Sequence, residues 1–114
     1  MTTIYHNPRC SKSRQTLQLL EENDIQPTIR LYLQDNPSVD ELETILKQLD
    51  ISPLELMRTK ESLYKELGLN KDSTDDERLQ AMHKNPGLIE RPIVIHNNKA
   101  KLGRPPESVL ELFK

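Results

Sequence analysis

The chain has 114 residues, a usual size for one domain, and a formal net charge of -2. Hydrophobic residues make up 34% and charged residues 30%, which predicts a modest core under a well-solvated surface. The charge balance gives no reason to expect nucleic acid as a partner, and no apolar run is long enough to span a membrane. Because there is one cysteine and no visible signal peptide, we expect a reduced, cytoplasmic setting.

The first third of the chain predicts a βαβ unit. Residues 2–6 are β-prone, and Asn7-Pro8 breaks this strand into a loop. A helix is then expected from Cys10 or Ser11 to about residue 23. Residues 28–33 alternate, with Ile29 and two leucines on one side, and predict a second strand. Strand, helix and strand in this order favour a right-handed parallel arrangement.

The middle of the chain predicts only helices. S/T-x-x-E capping boxes begin at Ser38, Ser52 and Thr74, and the second has proline at its first helical position. The helical pattern that begins at Ser52 continues to about residue 67, where Gly68 is placed to end it. No linker composition flanks residues 38–85. We therefore expect a helical insertion inside a single domain spanning 1–114.

The last third predicts a hairpin and a final helix. Residues 92–95 are apolar and β-branched, residues 96–99 form a turn, and residues 100–102 return as a strand. A last helix is expected over 106–113. The order β-α-β, helices, β-β-α predicts an α/β fold with one mixed four-stranded sheet. This arrangement is thioredoxin-like (glutaredoxin-like), with the helical insertion between its βαβ and ββα halves.

Cys10 is the most informative residue, because it lies where a strand gives way to a helix. The first backbone N–H groups of a helix have no partners within the helix, and with the helix dipole they favour thiolate over thiol. Arg9, Lys12 and Arg14 add positive charge nearby. Cys10 is therefore either a nucleophile in an anion-binding loop or an inert, buried thiol. Spacing alone leaves both interpretations open.

Four motifs together resemble one known family, the glutaredoxin-coupled arsenate reductases of the ArsC type. They are residues 4–14 (IYHNPRCSKSR), 56–58 (LMR), 89–94 (IERPIV) and 102–107 (LGRPPE). The resemblance runs from the first strand to the last helix. It implies a thioredoxin-like fold and reduction of arsenate to arsenite by Cys10. It also implies glutathione as co-substrate, glutaredoxin as protein partner and no tightly bound cofactor. No metal is expected, because His83 and His96 have no cysteine or carboxylate pattern around them that would predict a metal site.

The resemblance also implies roles for six further residues. Three arginines would bind the oxyanion: Arg58, Arg91 and Arg104. Three residues would support Cys10: His6, Ser13 and Pro92. Ser13 would hydrogen-bond the thiolate or cap the helix, and His6 would favour the thiolate if charged or else make a structural hydrogen bond. Pro92 is expected to follow a cis peptide bond.

Two alternatives keep the reactive thiol but change the function. A glutathione-dependent thiol reductase would use the same arginines to bind glutathione carboxylates. A redox-responsive regulator that binds RNA polymerase would resemble the chain in fold. However, such regulators generally carry C-x-x-C, and Ser13 replaces the second cysteine here. We expect an oxidoreductase that acts as a monomer.

Overall fold

The computed structural model describes all residues, Met1–Lys114, and the chain forms two compact units. The sheet unit comprises Met1–Asp35 and Arg91–Lys114, and the helical unit comprises Asn36–Glu90. The helical unit therefore occupies, in sequence, the place predicted for the insertion. Whether the chain behaves as a single domain stays a prediction.

The sheet unit contains a mixed four-stranded sheet with the order β2-β1-β3-β4. Its strands are β1 (Thr2–Tyr5), β2 (Thr28–Arg30), β3 (Ile93–His96) and β4 (Lys99–Leu102). β1 pairs parallel to β2 and antiparallel to β3, and β3 pairs antiparallel to β4. Asn97 and Asn98 both have positive φ and form the two-residue turn of this hairpin. The topology confirms the predicted fold class.

The core of the sheet unit joins the sheet to helix α1 (Ser11–Glu22) and to the C-terminal segment Pro106–Phe113. Ile4, Leu20 and Val94 are fully buried and pack with Val109. The last segment lies where a helix was predicted, but it is wound as a 3₁₀ helix. Its first hydrogen bond runs from Ser108 N–H to the Pro105 carbonyl at 3.0 Å, which is the tighter i→i+3 spacing.

Strand β2 is shorter than predicted. The chain leaves the sheet after Arg30, and a turn closes when Gln34 N–H bonds the Leu31 carbonyl at 3.0 Å. Ile29 is 48% exposed and Leu33 is 43% exposed, so the expected apolar face of this strand is wrong. Tyr32 is buried instead, because the turn redirects the side chains that follow Arg30.

The helical unit contains four α-helices and one 3₁₀ turn. They are α2 (Val39–Leu49), α3 (Pro53–Leu56), α4 (Ser62–Glu66), α5 (Asp75–Lys84) and the turn Pro86–Leu88. The three predicted capping boxes are all present, at Ser38, Ser52 and Thr74. Gly68 has φ +77°, as expected for a residue that follows a helix in the left-handed region. None of the helices has the length and hydrophobicity that a membrane-spanning helix requires.

The expected continuous helix after Ser52 is wrong, because the chain turns irregular between α3 and α4. Met57 forms an isolated antiparallel bridge with Ile89. Arg58 N–H donates to the Leu88 carbonyl at 2.7 Å, and Glu90 N–H donates to the Leu56 carbonyl at 2.8 Å. These strand-like bonds replace helical ones and fix the backbone that carries Arg58.

Candidate active site

Cys10 is the N-cap residue of α1 and is partly exposed. Its backbone is extended, with φ -94° and ψ 123°, so the chain enters the helix directly at the thiol. The preceding loop is closed by Cys10 N–H bonding the Asn7 carbonyl at 3.0 Å. The Asn7 side chain is buried and accepts from Arg9 N–H at 3.0 Å. The thiol is therefore held by a short, ordered loop.

The pKa of Cys10 lies below the ordinary value for a thiol. Burial of the sulfur raises this pKa. The backbone N–H of Ser13, a side-chain hydrogen bond and the charge of Arg91, and the backbone N–H of Lys12 lower it and prevail. The first turn of α1 therefore acts as predicted for an anion site. The charge that assists it comes from Arg91, not from the neighbouring basic residues.

Ser13 is fully buried, and its hydroxyl links the start of α1 to the end of the preceding strand. The hydroxyl oxygen lies 2.6 Å from His6 Nδ1 and accepts a bond from Asn7 N–H at 3.0 Å. The predicted hydroxyl bond to the thiolate or to a helical N–H is therefore wrong, because the hydroxyl bonds His6 and Asn7 instead. The hydroxyl of Ser13 braces the loop, while its backbone N–H supports the Cys10 sulfur.

His6 is buried, and its pKa is lowered first by burial and then by the positive charge of Arg14. A lowered pKa disfavours the charged imidazolium near pH 7. His6 therefore favours the structural interpretation, in which it orders Ser13, over direct electrostatic support of the thiolate. Arg14 also donates to the Pro8 carbonyl at 2.9 Å, so it braces the same loop from the other side.

Arg91, Pro92 and Arg104 lie together where the chain enters β3 and leaves β4. The Arg91–Pro92 peptide bond is cis, as predicted, and Arg104–Pro105 is also cis. Arg104 Nη1 donates to the Arg91 carbonyl at 3.3 Å. Gly103 N–H donates to the Pro92 carbonyl at 2.9 Å. The side chain of Arg104 therefore contacts the main chain of Arg91.

One hydrogen-bond donor of the Arg91 side chain is available to a ligand. Its Nε is buried and has no hydrogen-bond partner in the chain. Leaving a buried donor unsatisfied is costly, so such atoms commonly mark a place where a ligand supplies the acceptor. A guanidinium beside a thiolate, with a donor uncommitted, has the chemistry needed to receive an oxyanion oxygen.

Arg58 belongs to the helical unit. Its guanidinium makes an ion pair with Glu61, with Nε 3.1 Å and Nη2 3.0 Å from the same carboxylate oxygen. Its role in binding an oxyanion stays a prediction that rests on the resemblance. The chain contains no group of three or more His, Cys, Asp or Glu residues placed to hold a metal ion.

Sequence reasoning did not single out Asn7 or assign Arg14 its structural role. Both act on the loop that presents Cys10, through one side-chain oxygen and one guanidinium. The Asn-Pro pair after a strand is the one available signal for Asn7, because asparagine often bonds the backbone two residues ahead. Nothing in the spacing of Arg14 separates it from a solvated arginine.

Comparison with known proteins decides the family. The family model described as "ArsC family" matches residues 5–112, nearly the whole chain. The chain belongs to the ArsC family. The match includes the Cys10 loop and the segments that carry Arg58, Arg91 and Arg104, so all the predicted site residues lie within the ArsC match.

Three relatives in the ArsC family match over more than nine tenths of their own length. One, named arsenate reductase, comes from Haemophilus influenzae and is 57% identical, covering 96% of this chain and 97% of the relative. A protein of Escherichia coli strain K12, whose name states no activity, is also 57% identical, over 96% and 93% of the two chains. The solved structure named arsenate reductase from Vibrio cholerae has a TM-score of 0.94 and 51% identity, over 97% and 96%. The thioredoxin-like ArsC fold is therefore established.

Proposed function

We propose that this protein is an arsenate reductase in which Cys10 is the nucleophile. The observation that carries the proposal is the environment of the Cys10 sulfur. Backbone N–H groups of Ser13 and Lys12 and the guanidinium of Arg91 lower its pKa, while Arg91 Nε stays uncommitted. A thiolate and an anion-binding donor therefore lie side by side. The relatives from Haemophilus influenzae and Vibrio cholerae, both named arsenate reductases, support arsenate as the anion.

The first step joins the thiolate to arsenic. The Cys10 sulfur attacks arsenic(V), an S–As bond forms, and one As–O bond breaks, with the oxygen leaving as water after protonation. The attack brings two negative groups together, so fixed positive donors are needed to offset their repulsion. Arg91 supplies such a donor at the sulfur. Arg104, bonded to the Arg91 carbonyl, and Arg58 are proposed to bind the remaining oxygens.

The later steps need thiols from outside the chain, because Cys10 is the only cysteine. We assign them to glutathione and glutaredoxin. One sulfur from each provides the two electrons that convert arsenic(V) to arsenic(III), and these two sulfurs leave joined as a disulfide. Water then cleaves the remaining S–As bond, which releases arsenite and returns Cys10 as a thiolate. This cycle requires a reducing thiol pool, so we propose that the protein works in the cytoplasm.

The test is arsenate-dependent oxidation of NADPH, coupled through glutathione reductase, glutathione and glutaredoxin. The wild-type protein should turn over, and Cys10→Ser should not. Substantial turnover by Cys10→Ser would remove Cys10 from the chemistry. The wild type could instead show no arsenate turnover, while Cys10 still reacts with an alkylating reagent at a pH below that of an ordinary thiol and forms a mixed disulfide with glutathione. That result would favour a thiol reductase over an arsenate reductase.

A further inference from the structure

Arg78 is a cation buried in the helical unit among neutral groups. It lies on α5 and is 2% exposed. Nη1 donates to the Tyr64 hydroxyl at 2.8 Å and lies 3.8 Å from the Met57 sulfur, and Nη2 donates to the Asn70 carbonyl at 2.7 Å. The guanidinium carbon also lies 5.9 Å from the centre of the Tyr64 ring. A phenol, a thioether and a carbonyl make the direct contacts, while the exposed carboxylate of Glu77 interacts with the charge without a hydrogen bond to it.

A contribution to the stability of the folded protein does not by itself explain why the Arg78 guanidinium is buried. A guanidinium stays charged in a protein, and removing it from water is expensive. Hydrogen bonds to neutral acceptors offset that cost only in part. Even buried ion pairs are often replaced by apolar side chains of similar volume without loss of stability, so a buried charge is weak evidence of a stabilising role. The contacts of Arg78 are therefore better explained by the segment they hold.

The contacts of Arg78 bracket one irregular segment. Met57 lies at its start, Tyr64 lies in the first turn of α4 just after its end, and Arg58 and Glu61 lie between them. Inside the segment, Glu61 N–H bonds the Arg58 carbonyl at 3.2 Å, and Tyr64 N–H bonds the Glu61 carbonyl at 3.1 Å. One planar guanidinium thus holds both ends of the short backbone run that presents the Arg58 side chain.

We infer that Arg78 is a positioning residue that fixes the segment Met57–Tyr64 and thereby the direction of Arg58. The inference rests on the proposed function, in which Arg58 binds the arsenate oxyanion. Arg78 would then act on substrate affinity through Arg58, with no contact to the reacting atoms. The planar fork of arginine suits this role, since a lysine ammonium cannot bridge two acceptors with the same fixed geometry.

The experiment compares arsenate kinetics of wild type, Arg78→Met, Arg78→Lys and Arg58→Ala in the coupled assay. Arg78→Met should raise KM for arsenate by about three- to tenfold and change kcat by less than about twofold. Arg78→Lys should raise KM as well, although it keeps the charge. A wild-type KM in Arg78→Lys would assign the effect to charge alone and overturn the positioning role.

A double-mutant cycle separates positioning from general damage. In an Arg58→Ala background, Arg78→Met should cause no further rise in KM, because the side chain it orients is gone. An equal rise in both backgrounds would overturn the inference. Leu46→Ala, which truncates a buried residue of α2, is the matched control and should lower thermal stability without raising KM.

Tyr64→Phe provides a second test of the same contact. If Arg78→Met does not fold, Tyr64→Phe replaces it, because this change removes the hydroxyl that accepts from Arg78 and should raise KM in the same direction. An unchanged KM in Tyr64→Phe and Arg78→Lys would overturn the inference. Failure of the proposed function is distinguishable, since the wild-type protein itself would then show no arsenate turnover.

Discussion

The guanidinium of Arg91 lies beside Cys10, and its hydrogen-bonding capacity and charge lower the pKa of that thiol. The two residues belong to opposite ends of the sequence and come together within the sheet unit. The exposed Arg9, which directly precedes Cys10 in the chain, does not contribute to this shift. Thiol activation therefore depends on correct pairing of β3 with β1, which brings the entrance to β3 beside the start of α1.

Replacing Arg91 should make the Cys10 thiolate less stable relative to the thiol and should weaken binding of the oxyanion. Arg91→Ala is expected to raise the pKa of Cys10 and to lower kcat/KM for arsenate about ten- to a hundredfold, since hydrogen bonds to charged groups contribute about 1.5–3 kcal/mol. The pH dependence of thiol alkylation measures the first effect, and the coupled assay measures the second. Arg9→Ala is the matched control and should leave the alkylation profile unchanged. An unaltered profile in Arg91→Ala would contradict the assignment.

The lowered pKa of His6 predicts a specific loss of stability in acid. Burial and the charge of Arg14 make the folded protein bind a proton at His6 less readily than the unfolded chain does. The contribution of His6 to the free energy of unfolding is therefore complete above its pKa in the unfolded chain, about 6.5. It declines as pH falls through the lower pKa of His6 in the folded protein. Denaturant unfolding of wild type and His6→Gln between neutral and acidic pH measures this contribution. The curves should converge as pH falls, and parallel curves would refute the linkage.

Gly103 should not tolerate a side chain. A Cβ there would lie 2.5 Å from Thr16 Oγ1 and 2.7 Å from Pro92 Cγ, so helix α1 or Pro92 would have to move. Gly103→Ala is expected to lower the free energy of unfolding by about 1–3 kcal/mol, the usual cost of overpacking. Gly87→Ala is the control, since a Cβ at that position meets nothing within 4 Å. Equal stability of the two variants in denaturant unfolding would show that Thr16 and Pro92 can move to accept the added Cβ at low cost.

The ion pair between Glu61 and Arg58 should compete with an oxyanion. Glu61→Gln removes the carboxylate and is expected to lower KM for arsenate by at most about fivefold, because partly exposed pairs are worth roughly 0.2–1 kcal/mol. Steady-state kinetics at low and moderate salt would show the change, larger at low salt. Glu66→Gln, which removes the same charge from an exposed position of α4, should leave KM unaltered. A raised KM in Glu61→Gln would mean that the carboxylate orients Arg58 instead.

Local signals predicted local structure well. The capping boxes at Ser38, Ser52 and Thr74 each depend on two side chains three residues apart, so their chemistry is complete in a short stretch of sequence. The left-handed Gly68 and the position of Cys10 at the start of α1 follow from equally local rules. The mixed four-stranded sheet was expected from the order of strands and helices along the chain, and the structure adds the strand order.

Tertiary effects could not be predicted in the same way. Strand β2 ends at Arg30 because a turn competes with the alternating pattern, and hydropathy does not report that competition. Arg78 looks like any solvated helical arginine in sequence, yet neutral groups from three other parts of the helical unit bury it. The hydroxyl of Ser13 meets His6 only after the loop has closed. The contacts of Arg78 and the contact of Ser13 with His6 join residues 7 to 21 positions apart, whereas the turn after Arg30 is a local competitor that the alternating pattern does not report.

The register of the sheet has a consequence for the order of folding. β1 pairs with β3 from Thr2 opposite His96 to Tyr5 opposite Ile93, so this contact closes nearly the whole chain into a loop. The helices of the helical unit, by contrast, begin at caps formed within a few residues. Loop closure over long separations slows folding, so we expect the helices to form first and the thiol site to be assembled last. Pulsed hydrogen exchange during refolding should protect α2 and α5 before β1, and simultaneous protection would exclude this order.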